Sequence, residues 1–247
     1  MALHVYGVVS AATPLPGVLR GRREAPVRLV VHSDLAAVVS EVDADARIRR
    51  DDLLAHARVL ESLVEASTVL PMRFGVIVET DEAVVRNVLE PGESGLIALL
   101  HSFDGLIQLT VKASYDQDQA LKHLLHERSD LRELRDQTGK GPAFYPAQLR
   151  LGEAIAAGLE TLVSSDAAML HDQLSGIAER IVLGDVTGQN QVLNAALLVQ
   201  RSARTRTDQA IARLSRTLPD RLRLRYIGPQ PPYSFVDADL AGEPVWA

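Results

Sequence analysis

The chain has 247 residues, 47% of them hydrophobic and 23% charged, with a net charge of −6 and no cysteine. This composition excludes disorder over the whole chain, and the length holds one large domain or two ordinary ones that bury most of their surface. The missing cysteine removes disulfides, thiolate metal sites, iron–sulfur clusters and a Cys nucleophile, and the acidic balance argues against nucleic acid as the main partner.

No run reaches the roughly 18 apolar residues of a membrane-spanning helix, so no membrane partner is expected. The opening Leu3-His4-Val5-Tyr6-Gly7-Val8-Val9-Ser10 lacks the positive n-region of a signal peptide. It reads as a first β-strand, and a cytoplasmic location is the default expectation. A loop follows from Ala11 to Pro26, punctuated by Pro14, Pro16, Gly17 and Gly21. Val27–Val31 and Leu35–Val42, joined by His32-Ser33-Asp34, predict a hairpin.

Leu53, Leu60, Leu63 and Val64 recur at helical spacing and predict a helix over Arg50–Ala66. Asp51 and Asp52 suit its positive start. Ser67–Glu79 reads as extended, with Pro71 confining the strand to an edge or to a start after the proline. Thr80 is the N-cap of a helix carrying Val84, Val85, Val88 and Leu89, and Pro91-Gly92 ends it. A short helix is predicted over Ser94–His101.

Leu106–Ala113 alternates clearly: Ile107, Leu109, Val111 and Ala113 oppose Gln108, Thr110 and Lys112, as in a half-buried strand. Asp116 and Gln119 mark a helix start, and the helix through Leu121, Leu124 and Leu125 weakens near Ser129-Asp130. Thr138-Gly139-Lys140-Gly141-Pro142 is the densest cluster of breakers away from the termini. It divides the chain into an N-terminal α+β domain, 1–138, and a C-terminal one, 139–247. Pro146–Val163 and Ala167–Leu183 have helical patterns. Ser164-Ser165-Asp166 is placed to turn the chain between them, which predicts a helical hairpin. Gln191–Val199 is a strand, Ser202–Leu218 a helix with Ile211, Leu214 and Leu218 on one side. Asp220–Ile227 is a strand on which Leu222, Leu224 and Tyr226 oppose Arg221, Arg223 and Arg225. The Pro-rich tail after Gly228 reads as irregular. The fold class is α+β in two domains, and strand–helix–strand over Gln191–Ile227 fits half of a ferredoxin-like unit.

Catalytic chemistry finds little support. His123 and His126 have ligand spacing on a helix, but His56, His101 and His171 are too scattered to nominate as a third ligand, so no metal site is expected. There is no Gly-rich phosphate loop and no G-x-S-x-G elbow. Asp51–Asp52 and Asp81–Glu82 sit at helix starts and complement the helix dipole. No catalytic or cofactor-binding residue is nominated. Arg221, Arg223 and Arg225 form a positive stripe that either meets an acidic partner or faces solvent. Tyr226 lies on the opposite face, so a stacking platform for nucleic acid is missing. Two segments stand out. Val69-Leu70-Pro71-Met72-Arg73-Phe74-Gly75 sets a long cation between large apolar residues. Tyr226-Ile227-Gly228-Pro229-Gln230-Pro231-Pro232-Tyr233-Ser234-Phe235-Val236 is stiffened by prolines and carries aromatic anchors. It is either tied down on its own domain or a docking site.

With these two segments the chain resembles the gas vesicle proteins of the GvpF/GvpL type. The matching blocks run in order: Val5-Tyr6-Gly7-Val8-Val9, Leu35–Val42, His56–Glu61, Val69–Gly75 as V-L-P-M-R-F-G, and Val111–Tyr115 as V-K-x-x-Y. Leu151–Ile155, Asn194–Val199 and Gly228–Val236 follow. Gln230 departs from the pattern, where a Trp is expected in G-P-W-P-P-Y-S-F. The resemblance implies a non-enzymatic accessory protein, without cofactor, of a gas-filled protein shell inside the cell. It implies two α+β domains, the second a modified ferredoxin fold, and association with the shell, on its gas-facing side, to help begin assembly. The implied partners are the small hydrophobic shell protein of the GvpA type and other accessory Gvp proteins. Such an acidic protein would cover an apolar or edge surface of an aggregation-prone subunit. The interaction candidates are Arg73, Phe74, Arg221, Arg223, Arg225, Tyr233 and Phe235. A second reading stays open: a small-molecule sensor or enzyme on a ferredoxin-like α+β scaffold, since such folds host many functions.

Overall fold

The computed structural model describes residues 2–43, 47–188 and 190–239. They form an α+β protein with two antiparallel sheets. Two compact units divide the chain. The first comprises the described residues of Met1–Leu109, Leu198–Arg204 and Ile227–Ala247, and the second Thr110–Leu197 and Thr205–Tyr226. The breaker cluster at 138–142 falls inside the second unit.

The first sheet contains β1 (Ala2–Ser10), β2 (Val27–His32), β3 (Leu35–Val42), β4 (Leu70–Pro71) and β5 (Ile77–Val78), in the order β2-β3-β1-β4 with β5 also on β1. The predicted β2–β3 hairpin forms, with His32 opposite Leu35 and Ser33 in the left-handed region at φ 50°. β1 lies between partners and is buried from Ala2 to Val9, hence its nearly continuous apolar run. Its register with β3 shifts between Val5 and Gly7. Gly7 then pairs with Pro71, and a Cβ on Gly7 would lie 2.6 Å from the Leu70 carbonyl oxygen. Pro71 sits at the sheet edge, as its missing N–H requires. The extended stretch holds two short strands. Between them Met72 N–H donates to Tyr6 O at 2.8 Å and Val5 N–H to Val76 O at 3.0 Å.

Helix α1 (Arg50–Ala66) packs on β1 through Ala55, His56, Val59, Leu60, Leu63 and Val64. Leu53, assigned above to the apolar stripe, is exposed. The stripe begins two residues later because the first turn presents Asp52, not Leu53, to the interior. α2 (Asp81–Val84) continues as a π-turn over Val85–Leu89, and the Thr80 hydroxyl caps it by accepting from Ala83 N–H at 3.1 Å. α3 (Glu93–Ser102) follows.

The second sheet runs β7 (Arg180–Leu183), β8 (Gln191–Gln200), β6 (Leu106–Tyr115), β9 (Leu222–Gln230) in spatial order. Ile107, Leu109, Val111 and Ala113 of β6 are fully buried. Gln108 is buried too, because its Oε1 accepts Ser234 N–H at 3.0 Å. α4 (Gln117–Glu127) is capped by the Asp116 carboxylate, and the chain breaks at Arg128 before α5 (Ser129–Asp136), where the helical pattern weakens.

Two expectations are overturned. The helical hairpin does not form: α6 runs unbroken over Tyr145–Ser175, 31 residues and about 46 Å long. Ser164 satisfies its hydroxyl by donating to Glu160 O at 3.1 Å, and Asp166 turns inward to an arginine, so neither caps a helix. The later part of the second predicted helix is strand β7. The tail is not irregular over its described part. β9 extends through Gln230, and α8 (Tyr233–Asp239) packs against β4 within the first unit. The rest of the tail, 240–247, lies outside the described residues. α7 (Arg204–Thr217) matches its prediction, burying Ile211 and Leu214.

Candidate functional site

In the first unit, β1 and α1 bring His4, Tyr6, Asp52 and His56 together. The loop before β2 adds Arg22, and the segment after β4 adds Phe74. Nε2 of His4 lies 2.9 Å from Nδ1 of His56, and Nε2 of His56 lies 3.2 Å from the Met72 carbonyl oxygen. A carbonyl only accepts, so His56 carries its proton on Nε2, its bare Nδ1 accepts, and His4 Nε2–H donates. Both rings are neutral in this network. Burial is the main cause that lowers their pKa values, to about 3 for His4 and about 4 for His56. Their mutual repulsion and Arg22 lower His4 further, while the Met72 carbonyl pulls His56 back up.

The Tyr6 hydroxyl lies 2.8 Å from Ser40 Oγ and accepts Arg22 N–H at 2.9 Å. The Arg22 side chain is buried. Its Nε lies 3.6 Å from Asp52 Oδ1, and its guanidinium carbon stands 5.4 Å from the centroid of the Phe74 ring. Burial alone would raise the Asp52 pKa. The Arg49 N–H at 2.8 Å and the Arg22 and Arg23 charges outweigh it and hold the carboxyl below the usual range. Phe74, a sequence candidate, is thus half-buried within an aromatic cluster with His4 and His56. Arg73 beside it is exposed. A cleft of about 280 Å³ opens beside the cluster, lined by Gly21, Arg23, Arg49 and Asp52 among others.

In the second unit the arginine stripe divides. Arg221 makes a bidentate pair with Asp166 at 2.7 and 2.8 Å, and Asp166 also accepts from the Tyr115 hydroxyl at 2.8 Å. Burial and the Asp166 carboxylate push the Tyr115 phenol up. Arg223 and Arg225 are exposed, and Arg223 lies 3.4 Å from Asp116. His123 and His126 line a cleft of about 410 Å³ with Lys122, Asp220 and Arg221. Among the described residues no group of three or more His, Asp or Glu is placed to hold a metal ion.

The tail aromatics belong to the first unit. Phe235 is fully buried, so its ring ties α8 down. Tyr233 is half-buried, and burial pushes its phenol up to about 12. Sequence reasoning missed His4, Tyr6, Arg22 and Asp52 as one network. Three widely spaced segments contribute to it, β1, the loop before β2 and α1, and no local spacing signals their meeting.

Arg22, Asp52, Asp166 and Arg221 are thus spent on internal ties, and Arg73, Arg223 and Arg225 are exposed on a two-sheet α+β scaffold. Among the described residues no helix is long and apolar enough to cross a membrane. The chain belongs to the family of gas vesicle synthesis proteins GvpL/GvpF, whose model matches residues 2–237. It is 35% identical to gas vesicle protein F of a Streptomyces species over 241 residues, covering 96% of this chain and 100% of that protein. It is 26% identical to gas vesicle protein F of a Nostoc species, covering 94% and 97%. The crystal structure of GvpF from Anabaena superposes with a TM-score of 0.82 and that from Microcystis aeruginosa with 0.78. Each is 26% identical and covers 95% of this chain and 98% of the other. The resemblance read from the ordered sequence blocks is therefore correct.

Proposed function

We propose that this protein is an accessory component in building the gas vesicle. It binds the small hydrophobic shell protein and other accessory gas vesicle proteins, associates with the shell on its gas-facing side, and helps nucleate its assembly. The observation that carries the reading is the match to the family along almost the whole chain. Arg73 supports a role in binding: its neighbours Leu70 and Met72 are buried, while Arg73 itself is exposed just beyond the edge strand β4. Arg223 and Arg225 offer a second exposed face. A modified ferredoxin-like arrangement for the C-terminal part is included in the reading. The β8-α7-β9 order, with β6 between the two strands, supports it.

Pull-down with the shell protein tests the surface. Arg73→Glu and the double variant Arg223→Glu/Arg225→Glu should each reduce capture severalfold with unchanged thermal unfolding. Phe235→Ala, which empties a buried site, should instead lower stability by about 3 kcal/mol or more. Full capture by both charge-reversal variants removes these residues from the interface. Deletion of the gene, in a cell with no second family copy, should abolish vesicles by electron microscopy. Normal vesicles would remove the assembly role itself.

A further inference from the structure

The loop before β2 is tied to the ring cluster at residues 21–25. Arg22 N–H is held by the Tyr6 hydroxyl, the Arg22 side chain by Asp52 and the Phe74 face, and Arg23 Nη2 donates to Arg47 O at 3.2 Å. Gly21 makes this possible, because a Cβ there would lie 2.0 Å from the Tyr6 hydroxyl. The strap is also strained. Arg23 and Glu24 hold left-handed φ values of 52° and 62°, conformations unfavourable for residues with a side chain.

We propose that the His4–His56 pair is an acid-operated latch on this strap: uptake of a proton by the pair expels Arg22 and releases residues 21–25 from the first unit. Three observations point the same way. His4 Nδ1 is bare and has no hydrogen-bond partner among the described residues, so it is the open position for a proton. A proton there places a cation in a fully buried ring beside the buried Arg22. A proton on His56 Nδ1 instead breaks the ring-to-ring hydrogen bond. Arg22 Nε and Nη1 also lack hydrogen-bond partners among the described residues, so the guanidinium rests on the Asp52 charge and the Phe74 face. The groups facing the pair are Tyr6 on β1, Asp52 on α1, Arg22 on the strap and the Met72 carbonyl after β4, with Ser40 and Arg23 one step away. Asp52 is the carboxylate among them, and Arg22 and Arg23 share it. A cleft lined by Gly21, Arg23 and Glu24 adjoins the strap.

The direction with pH follows. The histidine pKa values are depressed in the closed state, so the open state binds more protons below the ordinary histidine value of about 6.5. Closure is fully favoured above that pH and is lost as pH falls toward the closed-state values of about 3 and 4.

Hydrogen exchange by mass spectrometry, corrected for intrinsic rates, reads this directly. Between pH 7.5 and pH 5, exchange of the strap relative to β3 should rise roughly tenfold or more. The rise should vanish in His4→Gln/His56→Gln. Gly21→Ala should exchange fast at the strap at both pH values, which keeps the test decisive where the double variant fails to fold. A strap-to-β3 ratio that stays constant with pH in the wild type overturns the latch. So does a pH response that persists in either variant.

Discussion

Asp166 illustrates how one side chain ties distant elements. It sits in the middle of α6, 4% exposed, and its two oxygens take the Arg221 fork while one also takes the Tyr115 hydroxyl. The planar guanidinium matches a carboxylate bidentately, which sets register between α6 and the start of β9. Removing one partner of a buried pair leaves the other charge uncompensated, a loss of about 3 kcal/mol. Asp166→Asn should therefore lower the unfolding free energy measured by urea titration by an amount of that order. The same change in Asp136, paired with Arg135 at the surface, should leave it within about 0.5 kcal/mol. Arg221 is thus a structural residue first, and the exposed part of the stripe is Arg223 and Arg225.

At the scale of elements, α6 is the case where local signals and packing disagree. Ser164-Ser165-Asp166 has the composition of a turn and an N-cap. The helix continues through it because the gain from an unbroken helix packed on α4 and α5, with Asp166 paired, outweighs a weak local preference for a turn. The sign of one substitution separates the two pictures. Ser165 is exposed in mid-helix, so Ser165→Ala should be neutral or stabilise by up to about 0.5 kcal/mol in thermal unfolding. In a helix-capping turn, the same change would cost about 1 kcal/mol. The segment after β4 shows the opposite economy. Pro71, the departure of 73–75 from the sheet and the short strands β4 and β5 blunt an edge that would otherwise invite strand pairing.

For the molecule as a whole, the loop at 138–142 has the breakers of a linker, yet α4 and α5 before it and α6 after it pack together within one unit. Gln148 Nε2 also donates to Gly139 O at 2.8 Å across it. A protease site inserted at 139–141 should be cut readily, and the two fragments should still co-elute on size exclusion. Separate elution would show instead that 1–138 and 139–247 are independent bodies. Local pattern was enough to place several elements: α1, β6, α7 and β9 show an apolar repeat of 2 or 3.6 residues within their own spans, β1 is a short apolar run, and the β2–β3 hairpin is two such runs joined by a short polar link. The caps at Thr80 and Asp116 were legible for the same reason: donor and acceptor lie three residues apart. The family was legible because its blocks survive in order. Tertiary structure alone decided that Asp166 pairs rather than caps, that Gln108 is buried beneath α8, that Phe235 is an internal anchor, and that His4, Arg22, Asp52 and His56 meet. Those outcomes depend on partners 30 to 126 residues apart in sequence. A repeat read along the chain says which face of an element is apolar, but not which distant segment will cover it.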